Sequence, residues 1–135
     1  MATGTAGDIG RHYHTAQVHY LIAAITYADG NAKVYTLGTL PPSAIVIRGG
    51  VSVTTVFNFG TNNLIDIGVT ADDDDFATNL SLATVGNIVA DEMATATDFY
   101  STSARTVTAT LDLTGTAGTT GAGFVWVEYL VTDIG

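Results

Sequence analysis

Short runs of β-type residues, separated by closely spaced turn residues, most constrain what this chain of 135 residues can fold into. The runs are clearest between Leu40 and Gly68, in the segment LPPSAIVIRGGVSVTTVFNFGTNNLIDIG. Its side chains alternate at the period of two that a pleated strand requires. The apolar set at one parity is Ile45, Ile47, Val51 and Val53. We therefore expect these four on one face, with Val46, Arg48 and Ser52 on the other.

Two dipeptides divide this segment. Pro41-Pro42 has no backbone donor for a ladder and is typical of the start of a strand. Gly49-Gly50 predicts either a β-bulge or a two-residue turn that needs positive φ. Together with the turn residues Gly-Thr-Asn-Asn from Gly60, they predict two or three short strands and offer no catalytic group.

Four other segments predict strands by the same criteria. Residues 18–27 (VHYLIAAITY) also have apolar residues at helical spacing, but their β-branched and aromatic content favours a strand that turns at Asp29-Gly30 into residues 33–37. Residues 105–113 alternate cleanly between apolar and polar side chains, as in a half-buried antiparallel strand. Residues 124–131 are apolar at both parities, like 18–27. Seven or eight strands predict an all-β antiparallel sandwich of the jelly-roll kind.

One short helix is predicted after the four aspartates at 72–75. Aspartate is favoured at the N-cap and in the first turn of a helix. Phe76, Leu80 and Ala83 follow at helical spacing, and the helix is expected to end near Gly86.

The chain is expected to form a flexible N-terminal arm at residues 1–14 and one domain at 15–135. The arm is small and polar, and it lacks the basic and apolar regions of a signal peptide. Residues 18–28 are too few and too polar to span a bilayer. We therefore expect synthesis in the cytoplasm without secretion.

The composition excludes several function classes. Four basic against thirteen acidic residues give a net charge of −9, and the basic residues are scattered, so neither nucleic acid nor an anionic membrane surface is an expected partner. Cysteine is absent, which excludes disulfides and thiolate chemistry. Only 13% of residues are charged, against about 25% in ordinary soluble domains.

Candidate metal and catalytic residues fit structural roles better. Consecutive aspartates at 72–75 lack the alternating spacing, the glycine and the later glutamate of a calcium loop. His12 and His14 share a parity that His19 does not, and no cysteine completes a zinc site. No Gly-x-Ser-x-Gly elbow or phosphate-binding loop is present. We expect no cofactor, no metal and no enzymatic activity.

Several motifs resemble one family. They are LPPSAIV at 40–46, GVSVTT at 50–55 with Phe57-Asn58, LIDIG at 64–68 with Asp75-Phe76, and AG at 122–123 with Val127-Glu128-Tyr129. This run, over residues 34–130, resembles small virion structural proteins of tailed bacteriophages. The resemblance implies a head decoration or cement protein, with a β-sandwich core and an arm. It further implies a trimer that binds the major capsid protein and stabilises the head shell in the virion.

Strands that are apolar at both parities point to an assembly surface as well, because a two-layer sandwich buries only one face of each sheet. The candidate interface residues are Val18, Tyr20, Ile22, Trp126 and Tyr129. The alternative is a tail or head-fibre module that binds glycans through Trp126 or exposed tyrosines. An enzyme on a jelly roll is a weaker third hypothesis, because no convergent set of titratable groups is visible.

Overall fold

The computed structural model describes residues 17–90 and 99–132, which form eight β-strands in two four-stranded sheets. The strands are β1 (His19–Thr26), β2 (Val34–Leu40), β3 (Ala44–Thr55), β4 (Asn62–Val69), β5 (Asp72–Ser81), β6 (Gly86–Val89), β7 (Arg105–Thr114) and β8 (Ala122–Val131). Sheet A has the order β1-β8-β3-β6, and sheet B has the order β2-β7-β4-β5. Every pairing is antiparallel. The predicted all-β antiparallel sandwich is confirmed.

The core lies between the two sheets and is built from alternate residues of each strand. On β7 the four apolar residues predicted to share a face are all buried. They are Val107, Ala109, Leu111 and Leu113. Opposite them, β8 contributes Val125 and Val127, while Phe57 and Phe76 are the largest fully buried side chains. Each fully buried aliphatic or aromatic side chain contributes about 1.5–3 kcal/mol.

The predicted helix after the aspartate run is wrong, because this segment is strand β5. Phe76 and Leu80 are buried as expected, but Ala83 lies beyond the strand and is exposed. The β4–β5 register shifts twice, so that Ile67 pairs with Ala77 while Val69 pairs with Asp72. Extra residues on β5 therefore break its period of two and imitate helical spacing.

Close backbone packing explains the glycine in this part of β4. A Cβ atom on Gly68 would lie 2.1 Å from the carbonyl oxygen of Asp72 and 2.7 Å from that of Asp73. The backbone of the aspartate run thus lies directly on Gly68, and only glycine leaves room for it.

Gly49-Gly50 forms neither the predicted β-bulge nor the alternative turn, because β3 runs without interruption from Ala44 to Thr55 and its register is regular at both glycines. The register of β3 with β8 shifts once after the glycines, between Val53 and Thr55, and once before them, where Val46 pairs with Tyr129 and Arg48 pairs with Glu128. Ile47 is thus the additional residue of a bulge.

This bulge reverses the expected faces in the first part of β3. Val46 is buried, whereas Ile45 is only partly buried and Ile47 is exposed. Beyond the bulge Val51 and Val53 are buried as predicted. The expected common face of the four apolar residues is therefore wrong for Ile45 and Ile47, because the extra residue changes the parity.

The remaining predicted strands agree with the structure to within a few residues. The segments 18–27, 33–37, 105–113 and 124–131 correspond to β1, β2, β7 and β8. A short 3-10 helix at Tyr27–Asp29 ends at Gly30, whose φ of 80° is the left-handed conformation expected of a turn glycine. The predicted arm at residues 1–14 lies outside the described residues, and the proposed domain limits stay a prediction.

Candidate functional site

The outer face of sheet A is apolar and exposed. Its strands have buried residues at one parity, so the other parity points away from sheet B. The exposed apolar side chains on this face are Tyr20 (59%), Ile22 (58%), Phe124 (44%) and Val89 (51%), with half-buried Trp126 among them. We call these five residues the apolar face. Contiguous exposed apolar surface of this kind is typical of interaction sites.

Strand register places the side chains of the apolar face next to one another. Ile22 of β1 pairs with Trp126 of β8, and Ala24 pairs with Phe124. On the other side of β8, Trp126 pairs with Gly50 of β3, which in turn pairs with Val89 of β6. The face therefore crosses the whole sheet.

Gly50 carries no side chain in the middle of this face, because the backbone of β6 lies against it. A Cβ atom there would lie 2.3 Å from the carbonyl oxygen of Ile88, so β6 packs too closely for a side chain. The position between Trp126 and Val89 is consequently empty of side-chain atoms.

Hydrogen bonds hold the indole in place. Trp126 Nε1 donates to Ser52 Oγ at 3.2 Å, and Ser52 Oγ donates to Asn87 Oδ1 at 2.6 Å. These bonds link β8, β3 and β6 across the outer face. Trp126 is therefore oriented before any partner binds.

An ion pair occupies the other end of the face. Arg48 Nε of β3 donates to Glu128 Oε2 of β8 at 3.2 Å, and the Glu128 side chain is 8% exposed. Glu128 pairs with Tyr20 of β1. Because the buried carboxylate is paired with a guanidinium, this part of the surface carries little net charge.

The five candidate interface residues fall into two groups. Tyr20, Ile22 and Trp126 belong to the apolar face, and Val18 is exposed directly before β1 at the same parity. Tyr129 lies at the opposite parity, packs partly against the core and contacts the ring of His19, with 5.4 Å between ring centroids. Sequence analysis missed Phe124 and Val89, although the apolar parity of residues 124–131 already included Phe124.

The outer face of sheet B is polar instead. On β7 it carries Thr106, Thr108 and Thr110, and on β4 it carries Asp66. Burial is the main reason that the pKa of Asp66 is raised above its usual value, and the charges of Asp73, Asp74 and Asp112 add to it. A hydrogen bond from the Asn79 backbone N–H at 2.6 Å opposes this shift.

The described charges are concentrated on three strands of sheet B. These residues are Asp66, Asp72, Asp73, Asp74, Asp75, Arg105 and Asp112. Elsewhere in the described residues the charges are Asp29, Lys33, Arg48 and Glu128, whose formal charges cancel. The net negative charge of the described sandwich is therefore on β4, β5 and β7, away from the apolar face.

Asp72, Asp73 and Asp74 place carboxylate oxygens within 4.8 Å of one another, closer than consecutive strand residues would. The register shift in β5 brings them together. A hydrogen bond with Asp74 is the main cause that raises the pKa of Asp72. All three are exposed, and within residues 17–90 and 99–132 no other group of histidine, cysteine or acidic side chains has metal-binding spacing. His12 and His14 lie outside the described residues.

Two clefts accompany these faces. One of about 340 Å³ lies at one end of the sandwich and is lined mainly by threonines and Tyr27. The other, of about 270 Å³, lies beside Arg105 and the loop between β4 and β5. Arg105 donates to the Ala44 carbonyl at 3.4 Å and lies over the ring of Phe76.

Within the described residues, no helix has the length and apolar character needed to cross a membrane.

The same fold occurs in viral shells. A chain of the acidic stable capsid structure of Helicobacter pylori bacteriophage KHP30 is similar, with a TM-score of 0.65 and 19% identity over 88% of this chain and 91% of that chain. A chain of the cyanophage Pam1 capsid asymmetric unit has a TM-score of 0.57 and 18% identity, over 86% of this chain and 84% of that chain. Both structures are phage capsids. No protein-family model and no curated protein sequence matches the chain.

Proposed function

We propose that this protein is a structural component of a bacteriophage virion, made in the host cytoplasm. Its role is that of a head decoration or cement protein, which binds the major capsid protein and stabilises the shell. The observation that carries the proposal is the apolar face of sheet A, in a chain whose fold resembles chains of two phage capsids.

Folding leaves large apolar side chains uncovered on the outer face of sheet A. Tyr20, Ile22 and Phe124 are each 44% or more exposed in the isolated chain. Covering a large apolar side chain completely is worth about 1.5–3 kcal/mol, so covering these three residues supports a specific contact.

Electrostatics favour the same face. Arg48 and Glu128 neutralise each other there, while most acidic residues of the described part of the chain lie on sheet B. Sheet B then keeps the free protein soluble, and its charge opposes non-specific association. Binding through the apolar face is expected to persist at high salt, because apolar contacts are not screened.

A structural role also fits the dispersed chemistry of the described residues. The acidic residues of sheet B are mostly exposed, and on the described outer face of sheet A the titratable groups are Tyr20, Arg48 and Glu128. An active site needs several such groups converging in a pocket. The protein is therefore proposed to act without catalysis, as a homo-oligomer, and the resemblance to head proteins implies three copies.

The test is binding to purified phage heads that lack this protein. Wild type should co-sediment with heads at both low and high salt. Phe124→Asp should weaken binding by more than ~10-fold, because it places a charge in a desolvated contact. Thr36→Asp is the matched control, since it adds the same charge to an exposed site on β2 and should bind as wild type does.

Each other outcome is decisive. Failure of wild type to bind heads at any salt would overturn the proposal. Binding to isolated tails or to glycans, but not to tailless heads, would replace it with a tail or head-fibre module. Equal loss in the Phe124 and Thr36 variants would exclude the apolar face as the contact.

A further inference from the structure

Strand β1 presents an open edge of sheet A. It pairs with β8 on one side, and within the described residues no strand pairs with it on the other. The Tyr27 N–H donates to the Gly121 carbonyl, so odd-numbered residues of this antiparallel ladder bond to β8. Tyr20, Ile22 and Ala24 consequently direct their backbone N–H and C=O groups to the open edge.

The other three edge strands carry features that discourage strand addition. Strand β6 has only four residues, and β5 has two register shifts and four aspartates. Strand β2 follows Lys33 and has a register shift between Thr36 and Gly38. Short length, bulges and charges are the usual means by which sheet edges avoid pairing.

Strand β1 has none of these features. Its eight residues, HYLIAAIT, include no proline and no acidic or basic residue apart from His19. Its register with β8 is uninterrupted from His19 to Thr26. A long, regular, apolar edge of this kind is expected to pair with another strand.

We propose that β1 of a second copy occupies this edge, antiparallel to the first, about a two-fold axis at Ile22. The sequence is self-complementary in this register. Tyr20 lies opposite the partner's Ala24, Leu21 lies opposite the partner's Ala23, and Ile22 meets its own equivalent. Large side chains thus face small ones on both faces of the joined sheet.

The backbone groups are compatible with this register. Pairing about Ile22 uses the backbone N–H and C=O groups that Tyr20, Ile22 and Ala24 direct to the open edge. Together with the same groups of the second copy they form about six hydrogen bonds. A register shifted toward the end of β1 would need Thr26. Its N–H is already bonded to Tyr35 Oη at 3.3 Å, so that register is less available.

The charge distribution permits this contact. Strand β1 contacts β2, which lies at the edge of sheet B farthest from the acidic strand β5. Two copies joined through β1 therefore keep their acidic surfaces apart. Joining the sheets also places the apolar faces side by side, with Tyr20 and Ile22 of both copies along the seam.

This inference is independent of the virion role, and it differs from the trimer that the resemblance implies. A contact about a two-fold axis is isologous and gives dimers, or even numbers of copies. The capsid-binding experiment and the measurement of copy number in free solution can therefore fail separately.

The experiment uses the full chain without capsids. Native mass spectrometry and light scattering over roughly 1–100 μM should show a concentration-dependent dimer. Ile22→Lys puts two positive charges at the axis and should raise the dimer dissociation constant at least ~10-fold. Val34→Lys is the matched control, because Val34 is an exposed apolar residue on edge strand β2. The dimer dissociation constant of this variant should equal that of wild type.

Cross-linking tests the register. The chain has no cysteine, so Ile22→Cys introduces one thiol. A short bis-maleimide should link two copies of this variant efficiently and of Val34→Cys poorly. A monomer at all concentrations, a trimer, or equal cross-linking at residues 22 and 34 would overturn the proposal. Circular dichroism of every variant confirms that it is folded.

Discussion

Trp126 of β8 donates a hydrogen bond from its indole to the hydroxyl of Ser52 on β3, at 3.2 Å. The hydroxyl in turn donates a hydrogen bond to Asn87 Oδ1 on β6, so the outer surface of sheet A is held by side chains as well as by the backbone ladder. Trp126 pairs with Gly50, which leaves Ser52 as the side chain from β3 that orients it. Ser52 thus determines how the apolar face presents its largest ring.

Ser52→Ala should destabilise the fold by about 1 kcal/mol, because it removes one hydrogen bond and leaves the indole N–H without its acceptor. Urea unfolding measures the change. Since Trp126 is the only tryptophan, its emission maximum reports the local effect and should shift in Ser52→Ala. Ser52→Thr keeps the hydroxyl, so its free energy of unfolding and its emission maximum should both be close to those of wild type. An unchanged emission maximum in Ser52→Ala would contradict the proposed orientation.

Gly68→Ala should cost about 3 kcal/mol or more, the upper range for overpacking. The added Cβ would meet the backbone of Asp72 and Asp73, which cannot rotate away as a side chain can. Thr78→Ala, on the exposed surface of β5, is the control and should change stability by less than about 0.5 kcal/mol. Thermal unfolding of both variants checks the difference. Similar melting temperatures would mean that the β5 backbone does not lie against Gly68.

The raised pKa of Asp66 predicts a pH dependence of stability. Because the folded state holds this proton more tightly than the unfolded state, the contribution of Asp66 is fully present below the unfolded pKa. It is lost as the pH rises through the folded pKa. Asp66→Asn should therefore be more stable than wild type near neutral pH, and the difference should shrink in acid. Melting temperatures of both proteins across this range measure it, and a variant less stable at neutral pH would contradict the prediction.

Tyr35 should ionise late. Burial, followed by the hydrogen bond from its hydroxyl to Asp29 Oδ2 at 2.5 Å, raises the pKa of Tyr35 from 10.0 to about 12. The stability that this group contributes is present below pH 10 and is lost as the pH rises through 12. Ultraviolet titration should show one phenol that ionises near pH 12. Asp29→Asn should move the pKa of Tyr35 toward the ordinary value of 10.0. A titration unchanged by this substitution would contradict a role of Asp29 in raising that pKa.

The fold class could be predicted from the sequence because side-chain parity is a local property. In residues 105–113 every second residue is apolar, and a strand with one face on a core is the structure that such a pattern favours. The same reasoning located β1 and β8 and, among their outer residues, Tyr20, Ile22 and Trp126. The pairing of Ile22 with Trp126 could not be predicted, because it depends on which strands become neighbours.

The errors have a common physical origin. Bulges in β3 and β5 each add residues to one strand, which reverses the parity of Ile45 and Ile47 and makes residues 76–83 resemble a helix. A bulge is set by the partner strand, so no pattern within one segment reveals it. The glycines at 50 and 68 can be recognised in the sequence, but the reason that glycine is needed cannot. The backbone that lies against each of them belongs to another strand.

The sequence by itself determined an all-β chain, acidic and without cysteine, with more apolar strand surface than one core can bury. Only the tertiary structure decided that, among the described residues, the excess apolar surface and the excess charge lie on opposite sides of the sandwich. It also decided that no other described strand pairs with the outer edge of β1. The reason is that alternation assigns a residue to one of two faces, whereas strand order and register determine which faces are brought together and which remain exposed to solvent.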